Sequence, residues 1–252
     1  MHPPFDVTTA ERMFKNNETN TPLRHDCSGK HTGMLAHCLL RGLPIENYLD
    51  PSHPIQETIL ETVAEMTGVP VKAIALGTDG CSAPVFALPL RSAAWAFAQL
   101  ADPAALPEPR QSALRRIFKA MTTHPDMVAG PDAFDTVLMQ VGRGKILSKV
   151  GAEGYQAIAL LPGACGEGSP ALGITIKISD GDQAERDRDP QVAVIAHDIG
   201  GRARSTAAVA VLRQLGALDE KQVAALKAFN NRPQFNWRRL EVGEIRAAFE
   251  IK

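Results

Sequence analysis

The 252 residues contain no apolar run of membrane-spanning length, no hydrophobic leader, no internal repeat and no low-complexity tract. An excess of charge is missing too. Lys and Arg number 27 against 28 Asp and Glu, a formal net charge of −1. Such a balance gives no basic surface for nucleic acid or for an anionic membrane. The largest basic cluster, Arg202, Arg204 and Arg213, reads as the solvated face of a helix. Cysteine is scarce, with four in the chain. A chain with these absences is expected in the cytoplasm, where thiols stay reduced, so its cysteines are expected to serve as core filler or ligands and not as disulfides. The length suits one domain or two small ones with a substantial core.

What the chain does have is a polar, reactive stretch just before an apolar run: Arg24-His25-Asp26-Cys27-Ser28-Gly29-Lys30-His31-Thr32-Gly33-Met34. Asp26 or Ser28 is placed to cap a helix, and Met34, Leu35, Cys38 and Leu39 then share one helical face. The positive end of that helix is expected to favour a thiolate at Cys27. Gly29-Lys30-His31-Thr32 is not a phosphate loop, because Arg24 stands where that motif needs Gly and His31 follows the Lys where it needs Ser or Thr. A solvated loop before an ordinary helix is the plain alternative. A second stretch, Gly77-Thr78-Asp79-Gly80-Cys81-Ser82-Ala83-Pro84, follows an apolar run over 69–76 that reads as a buried strand. Cys81 thus sits in a glycine-bounded loop at a strand end, a common place for a functional side chain. Cys38 lies inside an apolar run and reads as core. Cys165, in a glycine-rich loop, reads as incidental.

In chain order, helices are expected over 5–16, 29–40, 54–67, 91–100, 109–122 and 132–140. The third has Pro54 in its first turn and Gly68 as its stop. Residues 145–150, 155–161 and 172–179 read as an antiparallel meander. A long Ala-rich helix over 192–215, kinked near Gly200-Gly201, a short helix over 221–229 and closing strands within 236–251, broken at Gly243-Glu244, complete the chain. Helices early and strands late make the class α+β. The reading is a single domain over 1–252, mainly helical over 1–143 and carrying the sheet with its long helix over 144–252.

These residues together resemble the bacterial L-asparaginase II family, the zinc-containing, thermolabile type. The resemblance rests on HDCSGKHTGML and GTDGCSAP, then His124-Pro125-Asp126-Met127-Val128-Ala129-Gly130, Ser148-Lys149-Val150-Gly151-Ala152-Glu153-Gly154, and Ala171-Leu172-Gly173-Ile174 leading to Lys177-Ile178-Ser179-Asp180-Gly181. It implies a fold like the serine β-lactamases and glutaminases, an antiparallel sheet with covering helices beside a helical part. It also implies hydrolysis of L-asparagine to L-aspartate and ammonia, a nearby Zn2+, and a homodimer. Motif order sets residue 1 just upstream of the metal loop, so the chain is expected to be N-terminally incomplete relative to that family.

Amide hydrolysis needs a nucleophile, a base that activates it and an acid for the leaving ammonia. Lys149 is the candidate catalytic residue, since Lys149-Val150-Gly151 resembles the Lys-Thr-Gly strand of serine β-lactamases. Gly151 would let substrate approach the backbone. An exposed hairpin lysine is the plain alternative. Cys27 and Lys30, at i and i+3, can project together toward Cys81, and two thiolates suit zinc. Chemistry alone favours His31 or His25 as the third ligand, because lysine holds its proton to about pH 10; the resemblance implies Lys30. His31 and Asp79, with Lys30, are candidate substrate contacts, although Asp79 could equally serve its own turn. No serine in the chain is followed by lysine three positions on, so the Ser-x-x-Lys motif of the family has no match and Lys149 has no recognisable nucleophile. Two functions follow as expectations. One is an asparagine amidohydrolase that is inactive without the unmatched segment; the other is a non-catalytic zinc- or substrate-binding remnant. Glutamine, one methylene longer, is a weaker rival substrate.

Overall fold

The computed structural model describes residue 4 and residues 6–182 and 202–251. They fall into two compact units, Met1–Ser92 and Ala93–Lys252.

In the first unit, α1 (Val7–Lys15) opens on Asp6, whose carboxylate accepts the Thr9 N–H at 2.8 Å. Next comes α2 (Ser28–Arg41), with Cys27 at the capping position but no side-chain cap. Neither Asp26 nor Ser28 fills that role. Gly42, at φ 65°, ends α2 in the left-handed conformation, and Leu43 N–H returns to Cys38 O at 2.9 Å. The spacing of α2 fixes only part of its inner face. Met34 and Cys38, four apart, are buried, whereas Leu39 is 68 % exposed. The expected four-residue apolar face is therefore narrower than the sequence pattern. Pro54 starts α3 (Pro54–Thr67) and Gly68 ends it, as expected from those two residues. The His53 ring accepts the Ile55 N–H at 3.1 Å, supplying the cap.

The run expected to form a buried strand does not. Residues Val71–Ala73 make a 3-10 turn. Then β1 (Ala75–Thr78) pairs antiparallel with β2 (Pro84–Ala87) in a two-stranded ribbon, and β1 is exposed along its whole length. Among the described residues no third strand joins the ribbon, and only Pro84 and Phe86 of β2 are half-buried. Its job in the fold is to hold the tight turn between its strands.

In the second unit, helices α4 (Leu90–Ala101), α5 (Arg110–Thr123), α6 (Pro125–Ala129) and α7 (Phe134–Val141) precede the meander. Residues 90–92 of α4 belong to the first unit by the division above. The meander is β3 (Ile146–Gly151), β4 (Tyr155–Leu160) and β5 (Leu172–Lys177), in spatial order β3-β4-β5. Alternation along the strands gives the sheet two packed faces. Ile146, Ile158 and Leu160 pack with Phe134 and Leu138 of α7 and with Ala208, Val209 and Leu212 of α8 (Arg204–Gln214). Leu147 and Ala159 face Ala101 of α4 and Phe118 of α5. Ile158 and Leu138 are wholly buried, and truncating either to Ala is worth about 2–5 kcal/mol.

Of the expected helix over 192–215, the described part is α8; residues 192–201, including the expected kink, lie outside the described residues. Asp219 caps α9 (Glu220–Ala225) in a capping box with Gln222. The chain then turns through Lys227–Phe229 into a hairpin of β6 (Arg232–Phe235) and β7 (Glu241–Ile245). Gly243 lies inside β7 and does not break it; the break falls before, where Asn236 closes the turn on Leu240. The architecture is α+β with small antiparallel sheets. Among the described residues no helix is long and apolar enough to cross a membrane.

Candidate functional site

The start of α2 and the turn of the β1–β2 ribbon meet within the first unit. Lys30 Nζ donates to Asp79 Oδ2 at 3.1 Å across 49 positions of sequence. Ligand atoms of Cys27, Asp79 and Cys81 all lie within 4.8 Å of one another. All three are half-buried, so the cluster opens to solvent.

The turn is built for this. Ser82 N–H bonds Asp79 O at 2.8 Å, Asp79 N–H bonds Ala83 O at 2.9 Å, and Ser82 adopts φ 71°. Asp79 serves both its turn and the cluster. Its Oδ1 accepts the Gly80 N–H at 2.7 Å, while Oδ2 accepts Lys30 and, at 3.4 Å, the Cys81 thiol. An exposed ion pair of this kind contributes about 0–1 kcal/mol. It does little for folding but a good deal for orienting two donors.

Protonation follows from the same geometry. Burial pushes the Cys27 thiol up to about 11; Lys30 opposes the rise, and Asp26 and Cys81 reinforce it. The expected thiolate at the helix end is therefore not favoured: burial, reinforced by Asp26 and Cys81, keeps the thiol protonated. Burial works to lower the Lys30 ammonium's pKa, yet hydrogen bonds to Cys81 and Asp79 outweigh it and the net shift is upward. The Lys30 bond, working against burial, holds the Asp79 carboxyl below its usual range. Since a raised thiol pKa keeps the unreactive S–H form to higher pH, alkylation of Cys27 in the metal-stripped chain should climb about tenfold per pH unit from 7 to 10. Peptide-level mass spectrometry after iodoacetamide reads this directly. A plateau near pH 8.5 would mean that the helix end prevails after all.

Of the two histidines that chemistry favoured, His25 stays close to Cys27 and His31 pairs with Tyr48. His25 Nδ1 accepts the Cys27 N–H at 3.1 Å and lies 2.7 Å from Asp26 Oδ1. These three residues form a second close group through sequence adjacency. His31 Nδ1 lies 2.6 Å from the Tyr48 hydroxyl, with the rings edge to face. Burial and the Lys30 charge lower the His31 pKa. Tyr48 is a residue that sequence reasoning missed; it stands in a loop with no motif of its own. Two thiols, a carboxylate and an amine in one half-open cluster form a donor set suited to zinc, a borderline-soft dication.

Lys149 belongs to the second unit. It stands on β3 opposite Ala157, half-buried, and its Nζ donates to Val150 O at 3.0 Å. Gly151, two residues on, faces Tyr155, and a Cβ at Gly151 would lie 2.7 Å from the Tyr155 ring. That ring gives the glycine a structural reason of its own. On the opposite face of β3 lies a polar cluster that no sequence pattern announced. Asp135, Ser148 and Gln156 are at most 1 % exposed. Ser148 Oγ donates to Asp135 Oδ1 at 2.6 Å, Gln156 Nε2 to the same oxygen at 2.7 Å, and Val150 N–H to Oδ2 at 2.6 Å. Ser148, the serine next to Lys149, is thus sealed in the core. Cys38 is buried and Cys165 half-buried against the core; all four thiols are free.

Compared with known proteins, residues 1–200 match the family profile described as L-asparaginase II. No curated protein matches the chain.

Proposed function

The chain belongs to the L-asparaginase II family, and from that premise we propose that it carries the zinc loop and the lysine strand of an L-asparagine amidohydrolase. The reaction is L-asparagine and water to L-aspartate and ammonia. The observation that carries the reading is the convergence of Cys27, Lys30, Asp79 and Cys81 from α2 and the ribbon turn. In this proposal Cys27, Lys30 and Cys81 hold Zn2+, and the fold is the serine β-lactamase-like arrangement that the motifs resemble, in a cytoplasmic homodimer.

When bound, zinc supplies a positive centre that fixes the loop and draws in an anionic substrate group. The chain's own residues do the rest. Asp79 holds Lys30 and Cys81 in place and can receive the substrate ammonium. His31, its ring set by Tyr48, lines the same opening. Lys149 would be the amine that takes the proton from the nucleophile of the family's Ser-x-x-Lys motif, with Gly151 at the strand end. None of the chain's serines has lysine three positions on, and Ser148 is buried on Asp135. That burial favours a second reading beside the first, in which these residues alone bind zinc and substrate without turnover.

Calorimetry with the zinc-loaded chain tests the proposal: L-asparagine should bind more tightly than L-glutamine, and no ammonia should be released. Turnover abolished by Lys149→Ala would replace the binding-only reading with that of a working enzyme. Absence of binding by either amide would remove the substrate assignment.

A further inference from the structure

We propose that Asp135 is a positioning residue for Lys149, acting through the backbone of Val150. The inference rests on the reading of Lys149 as the functional amine. Among the described residues β3 is an outer strand of its sheet. Leu161 N–H bonds Lys145 O at 3.0 Å, which fixes the parity of the ladder. In an antiparallel pair the backbone groups of alternate residues point inward and outward. Residues 145, 147, 149 and 151 therefore point theirs at β4, and Ile146, Ser148 and Val150 point theirs off the free edge.

Both outward groups of Val150 are taken by side chains. Its N–H goes to Asp135 Oδ2 at 2.6 Å, and its carbonyl receives Lys149 Nζ at 3.0 Å. The residue that anchors the Lys149 amine is itself anchored by Asp135. Asp135 is held in turn: Ser148 Oγ and Gln156 Nε2 share its Oδ1, and Gln156 Nε2 also lies 2.9 Å from Ser148 Oγ. Among the described residues no cation pairs with this carboxylate, so its charge is met by three hydrogen bonds alone. A buried carboxylate is an expensive way to fill a core, and an apolar side chain would serve packing at least as well. What an apolar side chain cannot do is hold the Val150 N–H at an open strand edge. Each bond to the ionised group is also stronger than a neutral one.

The test uses Asp135→Asn in the whole chain. The asparagine amide offers one acceptor where the carboxylate offers two, so it cannot serve the Val150 N–H and the Ser148 and Gln156 donors together. The Val150 amide should exchange about tenfold or more faster, the scale of losing a bond to a charged acceptor. Its amide proton should move upfield. Acetylation of Lys149 by acetic anhydride, measured against the exposed Lys177 in the same molecules, should rise as the amine leaves its anchor. A purely structural Asp135 would lower the melting temperature without moving that ratio. A folded Asp135→Asn chain with an unchanged Lys149 to Lys177 ratio overturns the proposal. If that variant does not fold, Ser148→Ala removes one donor from the same carboxylate and should shift both readouts in the same direction; no shift there is equally fatal. None of these readouts involves substrate. Failure of the Lys149 reading itself would appear separately, as substrate handling that Lys149→Ala leaves unchanged.

Discussion

Replacing Cys81 with serine should reduce zinc in the purified chain from about one ion per molecule to a small fraction of that, with affinity lowered at least about a hundredfold. The size of the effect follows from the donor set. Cys27 and Cys81 are the two soft ligands of the cluster, and a serine hydroxyl is neither soft nor ionised at neutral pH. Asp79→Asn should be milder, about 10–100-fold, because Asp79 orients Lys30 and Cys81 through hydrogen bonds. Zinc content after dialysis against a weak chelator, set beside a competition titration, measures both. Equal zinc in the native and Cys81→Ser chains would place the metal elsewhere, and the close group of His25, Asp26 and Cys27 would then be the next to test.

The second large effect is structural. At Gly173 of β5 a Cβ would lie 1.8 Å from Ala94 O and 2.5 Å from Ala98 N, both backbone atoms of α4. No side-chain rotation can relieve that overlap. Gly173→Ala must push the helix off the strand, and loss of about 3 kcal/mol or more is expected, above the usual range for overpacking because the obstacle is backbone. Gly33→Ala is the matched control. Gly33 lies in α2 with nothing within 4 Å of an added Cβ, so there the substitution should be neutral or stabilise by up to about 1 kcal/mol. Thermal and urea unfolding of the two variants should show opposite signs. A Gly173→Ala chain as stable as the parent would mean that α4 does not lie so close against β5.

Particular residues show how much of this was legible in the sequence. Pro54 and Gly68 mark the ends of α3 because each acts locally, through a fixed φ and a left-handed cap. The three strands of the meander were legible because their apolar runs are short and separated by turns that use glycine, such as Glu153-Gly154 at φ 58° and 70°. Cys27 and Cys81 stood out by residue type, since thiols on polar loops are poor core filler, while their joining with Lys30 in one site was implied by the family resemblance. Residues 69–76 misled because an apolar run signals burial only when something covers it, and among the described residues no third strand joins the β1–β2 ribbon. The Cys27 thiolate misled for a related reason, since the helix end acts locally while burial and the neighbouring Asp26 and Cys81 arrive with the tertiary fold. Tyr48 and the Asp135, Ser148 and Gln156 cluster left no trace in the pattern. Their partners lie 17, 13 and 8 positions away, at spacings that belong to no single helix or strand.

The central claim is that α2 and the ribbon turn form a zinc site of two thiolates with Lys30. X-ray absorption at the zinc edge of the loaded chain tests it most directly. The account predicts two sulfurs at about 2.3 Å and two nitrogen or oxygen neighbours at about 2.0–2.1 Å. A shell of four sulfurs, or one with no sulfur at all, would contradict it.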